Sequence, residues 1–245
     1  MRMTILLALG LAAIGGVLFA GDVYQPIVQP ANFVDSDGNP YPIDNMHWPM
    51  IPGTTLIYEG VARSGPLHDE VYVTHETKEI LGVVCTVVEH LEWIWNVETS
   101  TWKLKEMTSE WHAQDSLGNV WYFGEDTVEF DDADDFDTTE GGSWEAGVDG
   151  AVPGIAMPGD PFVGLTYQME YYENVAEDRG KILRLNAKVS TFQADFKHVL
   201  KTKEWTPLEP GAVEHKYWAP DLGLVLVTGP KGSHWFLELI GIVVE

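Results

Sequence analysis

The residues with the greatest chemical potential lie between Glu110 and Gly147. There E-W-H-A-Q-D-S-L-G-N-V-W-Y-F-G-E-D runs through a carboxylate stretch into G-G-S-W-E-A-G. Glu125 to Asp137 contains eight carboxylates, and Glu106 to Asp178 holds 19 of the chain's 38 acids with no Lys or Arg. Hard cations take several oxygen ligands, so Asp131, Asp132, Asp134, Asp135 and Asp137 form a candidate Ca²⁺ site. Read without an ion, the same run is a self-repelling, solvated loop that keeps the protein soluble. The spacing excludes an EF-hand, whose glycine and terminal glutamate are not at the required positions.

His112, in the middle of W-H-A, is the candidate ligand for Cu or Zn. None of the eight histidines forms H-x-H or H-E-x-x-H, which removes support for a zinc protease. The plainer role for a strand histidine is a hydrogen-bonded, partly exposed side chain. Trp111, Trp121, Tyr122 and Trp144 are candidates for an aromatic wall around a small apolar or amphipathic ligand. Against that stands ordinary core or cross-strand packing. Cys85, the lone cysteine, lies in the apolar L-G-V-V-C-T-V-V and reads as a buried thiol, with a copper thiolate as the sharper reading.

No catalytic residue emerges. G-G-S-W-E-A-G lacks the glycine two residues after Ser143 that a nucleophile elbow needs. No glycine-rich phosphate loop precedes a helix. Among 38 acids, a carboxylate pair for glycoside hydrolysis carries no information by count alone. A non-enzymatic binding protein is the leading reading. A metal-binding protein and an exported hydrolase are the alternatives.

The elements that must hold these residues are strands. T-T-L-I-Y-E-G-V-A-R alternates apolar and polar positions, the pattern of a half-buried strand. Glu79 to Glu98 reads as one long β-branched strand bent at Gly82. Asp115 to Asn119 is a turn by residue type, making Trp111 and Trp121 the flanks of a hairpin. G-V-D-G-A-V-P-G-I-A-M-P-G-D-P reads as loop from its glycines and prolines. About eleven or twelve strands are expected and, outside the N-terminus, no helical period. The fold class is all-β, a single curved antiparallel sheet or a barrel-like domain.

Residues 1–20 have Arg2, an apolar run and small residues up to Ala20, the composition of a secretory signal peptide. Residues 21–45, rich in Pro, Asp and Asn, read as an extended arm, and 46–245 as the β domain. The expected location is therefore periplasmic or extracellular. A net charge of −24 disfavours nucleic acid and anionic membrane surfaces and favours cations, cationic ligands or basic partners. Beyond the signal no apolar stretch is long enough for a membrane helix. Oligomeric state is not encoded in any feature of the sequence.

Several phrases, W-H-A-Q-D, G-N-V-W-Y-F-G-E, G-S-W-E-A-G-V-D-G, T-P-L-E-P-G and P-G-T-T-L-I-Y-E-G, resemble those of a family of uncharacterised exported bacterial proteins. The resemblance spans roughly Tyr41 to Val227. It implies an all-β exported domain and transfers no catalytic residue. His112 stands where that pattern carries an aromatic such as tyrosine, so a role for it would belong to this protein or a subgroup.

Overall fold

The computed structural model describes residues 24–62, 65–130, 138–139 (backbone only) and 142–245. Alternation of side-chain type turns most of them into sheet. After a 3-10 turn (Pro30–Phe33) come a small hairpin, β1 (Ile43–Asn45) and β2 (Trp48–Met50), and then a meander. Its first half is β3 (Thr54–Ala62), β4 (Gly65–Ile80), β5 (Val83–Asn96), β6 (Thr101–Gln114) and β7 (Val120–Phe130). Two short pieces, β8 (Thr138–Thr139) and β9 (Trp144–Glu145), pair with β7. Next are β10 (Val152–Met157), β11 (Thr166–Gln168) and β12 (Glu170–Tyr171). The second half is β13 (Arg179–Ser190), β14 (Asp195–Trp205), β15 (Val213–Ala219), β16 (Gly223–Thr228) and β17 (Phe236–Val244).

All ladders are antiparallel, and each strand of the meander pairs with its neighbour in sequence. β17 returns to pair with β3 over Thr54 to Val61. The opposite seam is closed by the segment Thr166–Tyr171. Its first half, β11, pairs with β13, and its second half, β12, pairs with β10. The result is a nearly closed, up-and-down barrel, the architecture that removes exposed sheet edges. This is the all-β, barrel-like class that the alternation predicts.

Two local expectations differ from the structure. Residues 79–98 are not one bent strand. Leu81 and Gly82 both have positive φ (52° and 77°), the geometry of a two-residue hairpin turn, so the chain reverses between β4 and β5. The glycine- and proline-rich stretch at 147–161 contains a strand, β10, because β7 on one side and β12 on the other satisfy its backbone. Composition alone hides that tertiary pairing.

The packing has an inner and an outer part. On β5 and β6, Val83, Cys85, Val87, Trp111 and Ala113 point away from the barrel axis into a cluster with Phe33 and Phe123. The stretch read as an arm is part of this layer: Phe33 is buried edge-on against Trp121 (5.9 Å) and Phe123 (5.6 Å). Each such fully buried aromatic or aliphatic side chain contributes about 1.5–3 kcal/mol. Burial pushes the Cys85 thiol up to about 12, which keeps it protonated and inert. The alternate residues of the same strands face inward. Among the described residues, no helix is long and apolar enough to cross a membrane.

Candidate functional site

The inward positions of β3 to β7 carry an unusual density of ionisable groups. Register places Tyr58 opposite Asp69, Val71 opposite His90, Val88 opposite Glu110 and Glu110 opposite Glu125. A bulge interrupts the β6–β7 ladder at Trp111 and His112, where Gly124 pairs with Trp111 and Tyr122 with His112. The extra residue, Phe123, turns outward into the core. Tyr122 and Glu125, three apart, can therefore share the inner face. Gly124 sits at φ 137°, and a Cβ there would collide with the Trp144 carbonyl.

Several of these residues line a cavity of about 310 Å³ inside the barrel. The wall includes Trp48, Leu56, Tyr58, Val71, Met169, Trp218 and Leu224 together with His90, Glu110, His112, Tyr122, Glu125, Glu170, Asp178, Glu204 and Lys216. Trp48 comes from the β1–β2 hairpin, which covers one end. Its ring lies against Trp218 (4.8 Å) and His112 (5.4 Å). The hairpin is fixed by Asn45 Nδ2 donating to the Gly118 carbonyl (2.7 Å) and by Gln114 Nε2 donating to Asp44 (2.6 Å).

A chain of two hydrogen bonds and one longer ion pair crosses the first half of the wall. His90 Nε2 meets Asp69 Oδ2 at 3.3 Å, His90 Nδ1 lies 3.9 Å from Glu110 Oε1, and His112 Nε2 meets Glu110 Oε2 at 3.0 Å. Burial opposes charge on both His90 and Glu110, and in each case the partners win. Asp69 and Glu110 raise His90 to about 10, while His112 and His90 hold Glu110 well below the usual carboxylate range. His112 is 1 % exposed, its ring is stacked on Tyr122 (4.7 Å between centroids, 11° between planes), and its Nδ1 has no hydrogen-bond partner in the protein.

Across the ladder, Glu125 accepts a 2.5 Å hydrogen bond from the Tyr122 hydroxyl. Burial, with repulsion from Glu110 and Glu106, lifts its carboxyl to about 7 despite that bond. Glu170 is likewise raised by burial first and neighbouring carboxylates second, and Asp178 by burial, against the opposing attraction of Lys216. On the far side Lys216 pairs with Glu204 at 2.6 Å and with Glu214 at 3.8 Å. Thr202 donates to Glu204 (3.0 Å) and accepts from the Trp218 indole (3.1 Å). The wall also sets Glu125, raised toward neutrality, opposite Glu110, which its histidines hold low, so the environments of two facing carboxyls push their pKa values apart.

The residues singled out from sequence scatter. Tyr122 and His112 line the cavity. Trp111 is buried on the outer side of the sheet, where the Lys78 ammonium sits 3.3 Å above its ring. The Trp121 indole donates to Asp115 (2.8 Å), whose other oxygen accepts from Leu117 N and Asn119 N to close the β6–β7 turn. Trp144 is buried edge-on to Tyr122 at 5.4 Å. Asp131, Asp132, Asp134, Asp135 and Asp137, the Ca²⁺ candidates, lie outside the described residues. Among the described residues no three His, Cys, Asp or Glu side chains converge on a metal position. Glu110, Glu125, Glu170, Glu204 and Lys216 were not distinguishable in the sequence. The available signal was the run of charged residues at inward positions of otherwise alternating strands.

No family model and no curated protein sequence matches the chain. A solved structure of a provisionally assigned lipoprotein from Parabacteroides distasonis aligns with 81 % of this chain and 99 % of its own, at 9 % identity and a TM-score of 0.39. At that level the likeness contributes nothing to an assignment of function.

Proposed function

We propose that this chain is an exported, non-enzymatic binding protein whose barrel interior holds one small amphipathic molecule. The observation that carries the reading is the 310 Å³ cavity, walled by Trp48, Tyr58, Tyr122 and Trp218 on one hand and by carboxyl and imidazole groups on the other. Concave sites of this size with apolar walls and a few fixed polar groups are the usual form of a small-molecule site. Buried ionisable groups are poor stabilisers compared with a packed apolar core, so a barrel that keeps so many inward is better explained by binding than by stability. Export rests on the Arg2-to-Ala20 segment, which lies outside the described residues. The intact mass of protein recovered from a periplasm checks cleavage after Ala20.

Because Trp48 and Trp218 face the cavity, occupancy should change intrinsic fluorescence. The test is a titration against a broad panel of lipids, sterols, aromatic compounds and amines. A saturable change lost in Trp48→Phe/Trp218→Phe supports the reading, and a flat response across the whole panel ends it.

A further inference from the structure

We propose that the molecule taken by the barrel is an organic cation, a primary amine or guanidinium on a short aromatic or hydrocarbon body, with Glu125, Glu170 and Asp178 as its charge partners. This rests on the reading of the cavity as a small-molecule site and names its ligand class.

The argument begins with which charges are already matched. Five carboxyl groups line the cavity: Glu110, Glu125, Glu170, Asp178 and Glu204. Glu110 is held by His90 and His112, and Glu204 by Lys216. Among the described residues, Glu125, Glu170 and Asp178 form no ion pair with a Lys, Arg or His. Glu125 has only the Tyr122 hydroxyl. Glu125 and Glu170 thus line the cavity with no cation among the described residues at ion-pair distance, and Asp178 feels Lys216 only from beyond that distance, an arrangement that favours entry of something positive.

An independent feature has the same sense. His112 directs Nε2 at the Glu110 carboxylate, and its Nδ1, on a fully buried ring in the cavity wall, has no hydrogen-bond partner in the protein. Once they release their protons, the three carboxyls are acceptors only. Ammonium and guanidinium groups are donors only, which makes them the complementary chemistry.

The walls separate an organic cation from a metal ion. No three ligating side chains converge among the described residues, whereas Trp48, Tyr58, Tyr122 and Trp218 line the cavity beside the carboxyls and supply apolar surface for the body of an organic cation. The cavity has room for about ten waters' worth of ligand, which corresponds to about ten to fifteen non-hydrogen atoms. Burial first, with acidic neighbours, raises the carboxyls of Glu125, Glu170 and Asp178, so a bound cation should draw protons off them.

Calorimetric titration at pH 7.5 with three matched indoles tests this: tryptamine (cation), tryptophol (neutral) and indole-3-propionate (anion). Agmatine serves as a guanidinium probe without an aromatic ring. Tryptamine or agmatine should bind at least about tenfold tighter than the neutral and anionic compounds. Its heat should vary with the ionisation enthalpy of the buffer, reporting proton release. Glu125→Gln and Glu170→Gln should each weaken the amine about tenfold or more, with circular dichroism confirming the fold. Asp178→Asn replaces either variant if it fails to fold. Equal or tighter binding of the neutral or anionic indole, or a hit from the broad panel with none from the amines, overturns the cation assignment and leaves the binding-protein reading standing. No binding by any compound in either experiment removes both.

Discussion

Glu110 and Glu125 face each other across one rung of the β6–β7 ladder, and like charges so placed repel. The protein resolves the conflict by giving only one of them basic partners. Glu110 takes His90 and His112, while Glu125 is left to rise toward neutrality against a tyrosine. Opposite outcomes should follow from the same isosteric change. Glu110→Gln leaves a protonated His90 with Asp69 alone and should cost about 3 kcal/mol, the scale for breaking one side of a buried pair. Glu125→Gln removes the repulsion and keeps an acceptor for Tyr122, so it should stay within about 1 kcal/mol of the parent or gain slightly. Urea denaturation at pH 7 measures both, and equal losses would refute the assignment of charge to Glu110. The sequence pointed to His112 through its unusual neighbours. It did not point to Glu110, although the two are only two residues apart. In a chain with 38 acids, a carboxylate becomes notable only when register shows what it faces.

Closure of the barrel depends on one short segment, Thr166–Tyr171, which changes partner at Met169. Glycines flank that change. A Cβ at Gly154 on β10 would lie within the backbone of Gln168 and Met169, and one at Gly180 on β13 would enter the Tyr167 ring that lies over it. Close approach, not unusual φ, is what these two positions require. Gly154→Ala should therefore cost about 1–3 kcal/mol through overpacking against backbone that cannot move aside. In Gly241→Ala on β17 the new Cβ meets only Ile57 side-chain atoms at 3.7–3.8 Å, so stability should change by no more than about 0.5 kcal/mol. Urea midpoints of the two variants test the comparison. A Gly154→Ala protein as stable as Gly241→Ala would show that the seam is not tightly closed. The long strands were legible because apolar residues alternate onto one more buried face, as Leu56 and Tyr58 in β3 show. β10 and the closing segment were not. Val152–Met157 carries a proline and a glycine whose tolerance depends on partners more than ten residues away, and V-G-L-T-Y-Q-M-E-Y-Y-E alternates as if it had one set of neighbours when it has two.

At the scale of the whole molecule, the inward carboxyls set the pH at which the barrel is most stable. A carboxyl whose pKa is higher in the folded than the unfolded chain stabilises the fold while protonated, and that contribution fades as pH rises from its ordinary value to its folded one. Glu92 and Glu125 are both lifted, by burial first and acidic neighbours second, from 4.5 to about 7. Glu170, Asp178 and Glu214 are shifted in the same direction. His90, raised from 6.5 to about 10, contributes stability that is complete below 6.5 and lost across that interval. Two groups work the other way: burial lowers His47 and His215, so their contribution disappears as pH falls below 6.5. Glu110, held low by its histidines, loses its contribution only on acidification below 4.5. More groups lose than gain as pH rises, and the net charge of −24 adds self-repulsion over the same interval. The melting temperature should therefore peak near pH 5 and decline through pH 7 toward pH 9, opposite to a protein held by exposed salt bridges. Glu125→Gln should flatten the part of the decline between pH 5 and 7 while leaving the part above 7, which belongs to His90. Differential scanning fluorimetry from pH 4 to 9 on both proteins measures this. A parent profile that is flat or rises over pH 5–8 would mean that the inward carboxyls are solvated, and the acid-lined interior would then no longer set the pH at which this barrel is most stable.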